Sequence, residues 1–155
     1  MATIICHDIQ GQPTPVAPEA LTFRPAAYGI FIENDLVLLQ KEPESGLWYP
    51  PGRPLTNHDT PAQVIRHHFR QLTGMIPIVG PFVFVEEQYI IDQEQRPWHQ
   101  ALMYFAVERP PVAATALPAV ATAAQPEWVS LSEISRPRMQ FGYDALQAGI
   151  LLRRL

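Results

Sequence analysis

Cysteine is almost missing from this sequence: Cys6 is the only one in 155 residues. A lone thiol excludes an intrachain disulfide and fits a reducing compartment. Near a terminus we read it as incidental rather than redox-active. Long apolar runs are also missing, since none approaches the roughly 20 residues of a membrane span. The opening stretch MATIICHDIQGQ has neither the basic start nor the apolar segment of a signal peptide. The expectation is a soluble cytoplasmic protein with no membrane partner. Basic excess is absent too: 11 Lys and Arg against 15 Asp and Glu leave a net charge of −4. That balance gives no reason to expect nucleic acid as a partner.

What is present describes one globular domain. A composition of 47% hydrophobic and 17% charged residues supports a core in a chain of this length. The 17 prolines mark where elements stop. Residues 1–25 carry four of them and read as an N-terminal arm or irregular lead-in with one short strand. Residues 26–155 then form the domain proper. Ala26 to Glu42 is two β-rich runs around Asn34-Asp35, a hairpin turn. Pro43 to Asp59 is a loop. Thr60 to Leu72 carries the strongest helix signals, with Thr60 as cap, Pro61 at the first helical position, Gln63 completing a capping box and Gly74 as terminator.

Two further β-rich runs, VGPFVFVEEQYII and WHQALMYFAVE, read as a long hairpin joined by DQEQRP. Arg109 to Pro126 is an Ala/Pro-rich segment, longer than ordinary loops. It is read as an insertion or a partner-facing surface. EWVSLSEI gives a short strand running into a helix start, and QFGYDALQAGILLRRL an amphipathic C-terminal helix. Strands, helix, strands, helix without regular βαβ alternation imply a mixed sheet flanked by helices, in the α+β or layered α/β/α group.

Three separated segments resemble the Nudix superfamily. LVLLQKEPESGLWYPPG is similar to that family's strand leading into a W-x-x-P-G approach, with Trp48, Pro51 and Gly52 in place. LTGM matches the close of its signature, and EWVSLSEI its late Trp strand. The resemblance covers most of the chain from Tyr28 onward and implies a Nudix-like α/β/α sandwich with a mixed β-sheet. Members of that family hydrolyse nucleoside diphosphates linked to another group, with water and a divalent metal, usually magnesium.

The family signature has Gly, five residues, Glu, seven residues, then Arg-Glu-apolar-x-Glu-Glu-x-Gly-apolar. Anchored on Gly74, it aligns without gaps and places Arg53 at the first Gly and Asp59 at the first Glu. His67 and His68 take the Arg-Glu pair, and Gln71 and Leu72 take the Glu-Glu pair. Phe69, Gly74 and Met75 keep the expected type. Magnesium asks for clustered oxygen ligands and a base to prepare water. Carboxylates at i, i+3 and i+4 of a helix supply such a cluster. Here that set is His68, Gln71 and Leu72. Leu72 cannot ligate, Gln71 offers a neutral oxygen, and a histidine suits transition metals better.

Around the helix, Val64, Ile65, Phe69 and Leu72 form an apolar arc that includes His68. His68 then reads either as a hydrogen-bonded residue at the core edge or as a ligand. His67 points elsewhere, into solvent. Asp59 reads as a loop and helix-start acid or as a surviving ligand. Glu86 and Glu87 are adjacent in a strand, so only one can face a cleft. Asp59, Glu86 and Glu87 are therefore the catalytic candidates, and Asp59, His68 and Glu87 the metal candidates. Arg53 reads as a solvated loop residue or as a phosphate contact replacing a metal's charge. Trp48, His68, Gln71 and Trp98 complete the ligand-binding candidates, whereas Tyr104 and Trp128 are expected in the core.

Three readings follow. The first is a nucleotide- or phosphate-binding or regulatory module without standard Mg-dependent hydrolysis, for which no cofactor is expected. The second is a divergent hydrolase cleaving a nucleoside diphosphate derivative, which alone would call for Mg or Mn. The third is a protein-interaction subunit, with a homodimer as the simplest partner.

Overall fold

The computed structural model describes residues 2–111 and 126–154. Most of the Ala/Pro-rich segment, and the expectation attached to it, lies outside these residues.

The element order is β1 (Ile4–His7), β2 (Pro13–Val16), β3 (Thr22–Glu33), β4 (Leu36–Lys41), β5 (Trp48–Tyr49), β6 (Gly52–Pro54), α1 (Pro61–Thr73), β7 (Ile78–Ile91), β8 (Pro97–Glu108), β9 (Pro126–Ser130) and α2 (Tyr143–Arg153). The main sheet path runs β2-β1-β7-β8-β3-β4-β5, with β6 pairing to β3 and β9 to β4. β3 lies parallel to β8, and β7 antiparallel to it, so the sheet is mixed.

Local chemistry accounts for most of these boundaries. β3 and β4 meet through Asn34 and Asp35, both left-handed at φ 50° and 62°, the two-residue hairpin geometry that Asn and Asp tolerate. In α1 the Gln63 N–H donates to Thr60 Oγ1 at 3.2 Å, and the Thr60 N–H donates to Gln63 Oε1 at 3.0 Å. Gly74 closes the helix in the left-handed region, its N–H on the Arg70 carbonyl at 2.9 Å, as a glycine terminator does.

Helices cover opposite faces of the sheet. Along β3, alternate residues point to opposite sides. Ala26, Tyr28, Ile30 and Ile32 pack with Ala145 and Leu146 of α2. Ala27 and Phe31 pack with Val64, Ile65 and Phe69 of α1. Gly29 lies on the α1 side, where an added Cβ would sit 2.7 Å from the Phe69 ring.

The structure changes four expectations. Residues 1–25 hold two strands, not one, and β3 already begins at Thr22, so pairing runs through the boundary placed after residue 25. The prolines of β2 fit because that strand ends the sheet path, where a missing N–H costs no ladder bond. The last helix is shorter than expected and starts only after Gly142, a left-handed cap at φ 86°. The late strand leads into a single 3-10 turn, Leu131–Glu133, rather than a helix. Tyr104 is in the core as expected, but Trp128 is 40% exposed. Val129 takes the buried position of β9, which leaves Trp128 on the other face, edge-on to Phe31 at 5.2 Å.

Candidate functional site

The loop after β6 and the first turns of α1 bring together three of the candidate residues. Asp59 Oδ2 accepts from the Thr56 N–H at 2.9 Å and the Thr56 hydroxyl at 2.6 Å. The same oxygen stands 3.4 Å from Arg53 Nη1, which also donates to the Pro54 carbonyl at 3.0 Å. Bonds from Thr56, then the Arg53 cation, hold the Asp59 carboxyl below its ordinary pKa. It is an ionised loop clasp.

His68 sits on the half-buried edge of α1, with Nε2–H donating to Gln40 Oε1 of β4 at 2.8 Å. Burial, followed by repulsion from Arg53 and His67, lowers its pKa to about 4, so the ring is neutral near pH 7. The remaining helix positions divide as the apolar arc requires. Leu72 is 4% exposed, in the core. Gln71 and His67 face solvent.

The paired glutamates separate across the sheet, as alternation along β7 demands. Glu86 Oε1 accepts a hydrogen bond from the Tyr104 hydroxyl and another from the Gly142 N–H at 3.1 Å. Glu86 therefore ties β7, β8 and the start of α2 together. Burial foremost, then the adjacent Glu86 carboxylate, drives the Tyr104 phenol far above its ordinary pKa. Glu87 is exposed and lies 3.5 Å from His99 Nε2 without a hydrogen bond between them. Trp48 packs at the α2-side core, its ring under Lys41 Nζ at 4.5 Å and its carbonyl accepting from the Gln140 N–H at 2.7 Å.

These placements decide whether a divalent metal fits. Asp59, His68 and Glu87 each face a different protein partner, and α1 contributes no carboxylate along its length. Among the described residues no three His, Cys, Asp or Glu side chains are grouped to hold a metal ion.

A large cavity lies elsewhere, on the α2 side of the sheet, with a volume of about 1030 Å³. Arg24, Gln88, Trp98, Gln100 and Phe141 line it. Only Trp98 among them was a sequence candidate. A signal for Gln100 existed: it alternates in phase with Leu102 and Tyr104, so a polar residue occupies an inward register. It is 5% exposed. Arg24 had the same signal, in phase with Ala26 and Tyr28. The arm assignment hid it.

No family model and no curated relative matches the chain. Solved structures do. The solution structure of the E. coli ORF135 protein aligns with a TM-score of 0.61 at 22% identity, over 87% of this chain and 94% of that one. A MutT NUDIX hydrolase from Burkholderia pseudomallei aligns at 0.64 and 14% identity, over 82% and 98% of the two chains. An ADP-ribose pyrophosphatase from Streptococcus suis 89-1591 gives 0.58 and 14%, over 86% and 94%. With the mixed sheet, the two flanking helices and the loop-to-helix unit at residues 48–75, the chain has the Nudix fold. No helix among the described residues is long and apolar enough to cross a membrane.

Proposed function

We propose that this protein is a Nudix-fold binding or regulatory module for a nucleotide or other phosphate-bearing ligand, without Mg-dependent pyrophosphohydrolase activity. One observation carries the reading. Where hydrolysis would need clustered carboxylates, α1 presents a neutral His68 bonded to Gln40 and a buried Leu72, with Arg53 as the local cation. A guanidinium can contact a phosphate directly and supply the positive charge a divalent metal otherwise brings. Arg53 is about one-third exposed, and so remains reachable from solvent.

Two measurements test this together. Purified protein is assayed with Mg²⁺ or Mn²⁺ for phosphate products from ADP-ribose, NADH and nucleoside triphosphates. Thermal shifts are recorded with the same compounds, with and without metal. The expectation is no turnover, with stabilisation by at least one nucleotide in the absence of metal and loss of that shift in Arg53→Gln. Robust turnover abolished by Asp59→Ala or Glu87→Ala would overturn the reading in favour of a divergent hydrolase.

A further inference from the structure

α1 covers only part of its side of the sheet. Ala27, Phe31 and Val107 lie in one cluster with Val64, Ile65 and Phe69. Toward the start of β3 and β8, and across β7, the same face stays open to solvent. Phe23 is 59% exposed there, Phe82 53% and Val85 49%. Val85 lies opposite Met103, which lies opposite Ala27. Phe82 meets Phe105 edge-on at 5.5 Å, and Phe23 keeps the side of Ala27 by alternation along β3. Scattered apolar residues are ordinary at a surface, whereas large ones gathered on one face mark a contact.

The open face is built of cross-strand rows. One row is Phe23, His99 and Tyr89, from β3, β8 and β7. Its rings brace one another, Phe23 edge-on to His99 at 5.2 Å and Tyr89 stacked on His99 at 4.7 Å. They form a ridge. The next row is Pro25, Ala101 and Glu87. Its first two side chains are short and leave a furrow. Glu87 is the only carboxylate in the two rows, and no Lys or Arg joins it. A strongly charged partner is therefore not called for.

Strand addition at the outer edge of β7 is the competing way to use this region. Among the described residues β1 meets that edge only at Ile90. Pro81 and two register shifts between Val79 and Phe84 interrupt the rest, and such breaks oppose edge pairing. The face, not the edge, is the contact surface.

Ridge and furrow match each other by symmetry. A two-fold axis along the rows, midway between these two, turns a second copy face to face with its strands reversed. Phe23 then lies over the partner's Pro25, His99 over the partner's Ala101, and Tyr89 over the partner's Glu87. The Tyr89 hydroxyl can donate to that carboxylate, so the one acid of the two rows gains a hydrogen bond. Residues under α1 lie farther along the strands, so each helix falls past the start of the facing β3. Four rows about 7 Å apart on three strands about 4.8 Å apart project to roughly 400 Å² per copy. With side-chain relief the total is on the order of 1,000 Å², the size of a reversible pair rather than a permanent one.

We propose that this open face is the interface of a reversible, isologous homodimer. The Phe23–His99–Tyr89 row of each copy seats in the Pro25–Ala101–Glu87 row of the other. This surface goes beyond the ligand-binding reading and does not depend on it.

Sedimentation velocity from about 5 to about 500 µM is expected to show monomer passing into dimer, with a Kd of about 10–100 µM. Phe23→Glu, at an exposed position, should weaken association about tenfold or more. Glu87→Ala should weaken it about three- to tenfold. Leu151→Lys, exposed on α2, should leave it unchanged. Nuclear Overhauser contacts between isotope-labelled and unlabelled copies should join Phe23 to Pro25 and His99 to Ala101. A chain still monomeric at the highest concentration leaves this face to some other partner and overturns the proposal. So does open-ended association, association that Phe23→Glu does not weaken, or association that Leu151→Lys abolishes. Dimers without those contacts between copies overturn it as well.

Discussion

His68 Nε2 lies 2.8 Å from Gln40 Oε1, joining α1 to β4 across a half-buried seam. The bond ties a helix position that the Nudix resemblance assigns to an acid into the packing of the sheet. Its electrostatics are testable. The folded pKa of about 4 lies below the ordinary value near 6.5. The unfolded chain therefore binds the proton more readily, and acid favours unfolding. This contribution is intact above about pH 6.5 and is lost as pH falls toward 4, to at most about 3 kcal/mol. Urea midpoints at pH 7 and pH 5 should differ by clearly less in His68→Gln than in wild type. Equal pH slopes would show that His68 does not titrate as described.

Leu72 and Gln71 are neighbours with opposite surroundings, one in the core and one in solvent. Restoring an acid at each should therefore cost very different amounts. Gln71→Glu should stay within about 0.5 kcal/mol of wild type, as exposed substitutions do. Leu72→Glu places a carboxylate in the α1 packing and should cost about 3 kcal/mol or more. Chemical denaturation of the two variants measures the contrast, and similar midpoints would refute it.

Glu86 joins β7, β8 and the start of α2 through the Tyr104 hydroxyl and the Gly142 N–H. Glu86→Ala leaves the Tyr104 hydroxyl and the Gly142 N–H without their acceptor and should cost about 2–3 kcal/mol. Glu86→Gln retains an oxygen at the junction and should cost about half as much. The order of the two, read from denaturant midpoints, distinguishes an acceptor role from simple packing.

Gly29 lets Phe69 close onto β3. Gly29→Ala, with its Cβ 2.7 Å from that ring, should destabilise by about 1–3 kcal/mol through overpacking. In the background of Phe69→Leu the same change should cost less, so a double-mutant cycle should show coupling. Strict additivity would mean that Phe69 is not the residue in the way.

Local signals made much of this fold legible. The Thr60–Gln63 box, Gly74 and Asn34-Asp35 act within a few residues, and each fixes a boundary by hydrogen bonding or backbone preference. Periodicity likewise separated buried Val64, Ile65, Phe69 and Leu72 from the exposed side of α1. The first strands were less legible, because proline-rich β2 becomes a strand only by pairing with β1, a relation that composition does not express.

The site divides along the same line. By itself, the sequence determined that α1 carries no acid, for which covalent order is enough; that Arg53, His67, His68, Gln71 and Leu72 stand at signature positions is what the Nudix resemblance implies. Only tertiary structure decided that Asp59 clasps Thr56 and Arg53, that Glu86 bridges Tyr104 and Gly142, and that Arg24 meets Gln100 and Trp98. Arg24 and Gln100 are 76 residues apart. They become neighbours because β3 and β8 pair in parallel at a specific register, set by long-range packing of both sheet faces rather than by any local preference.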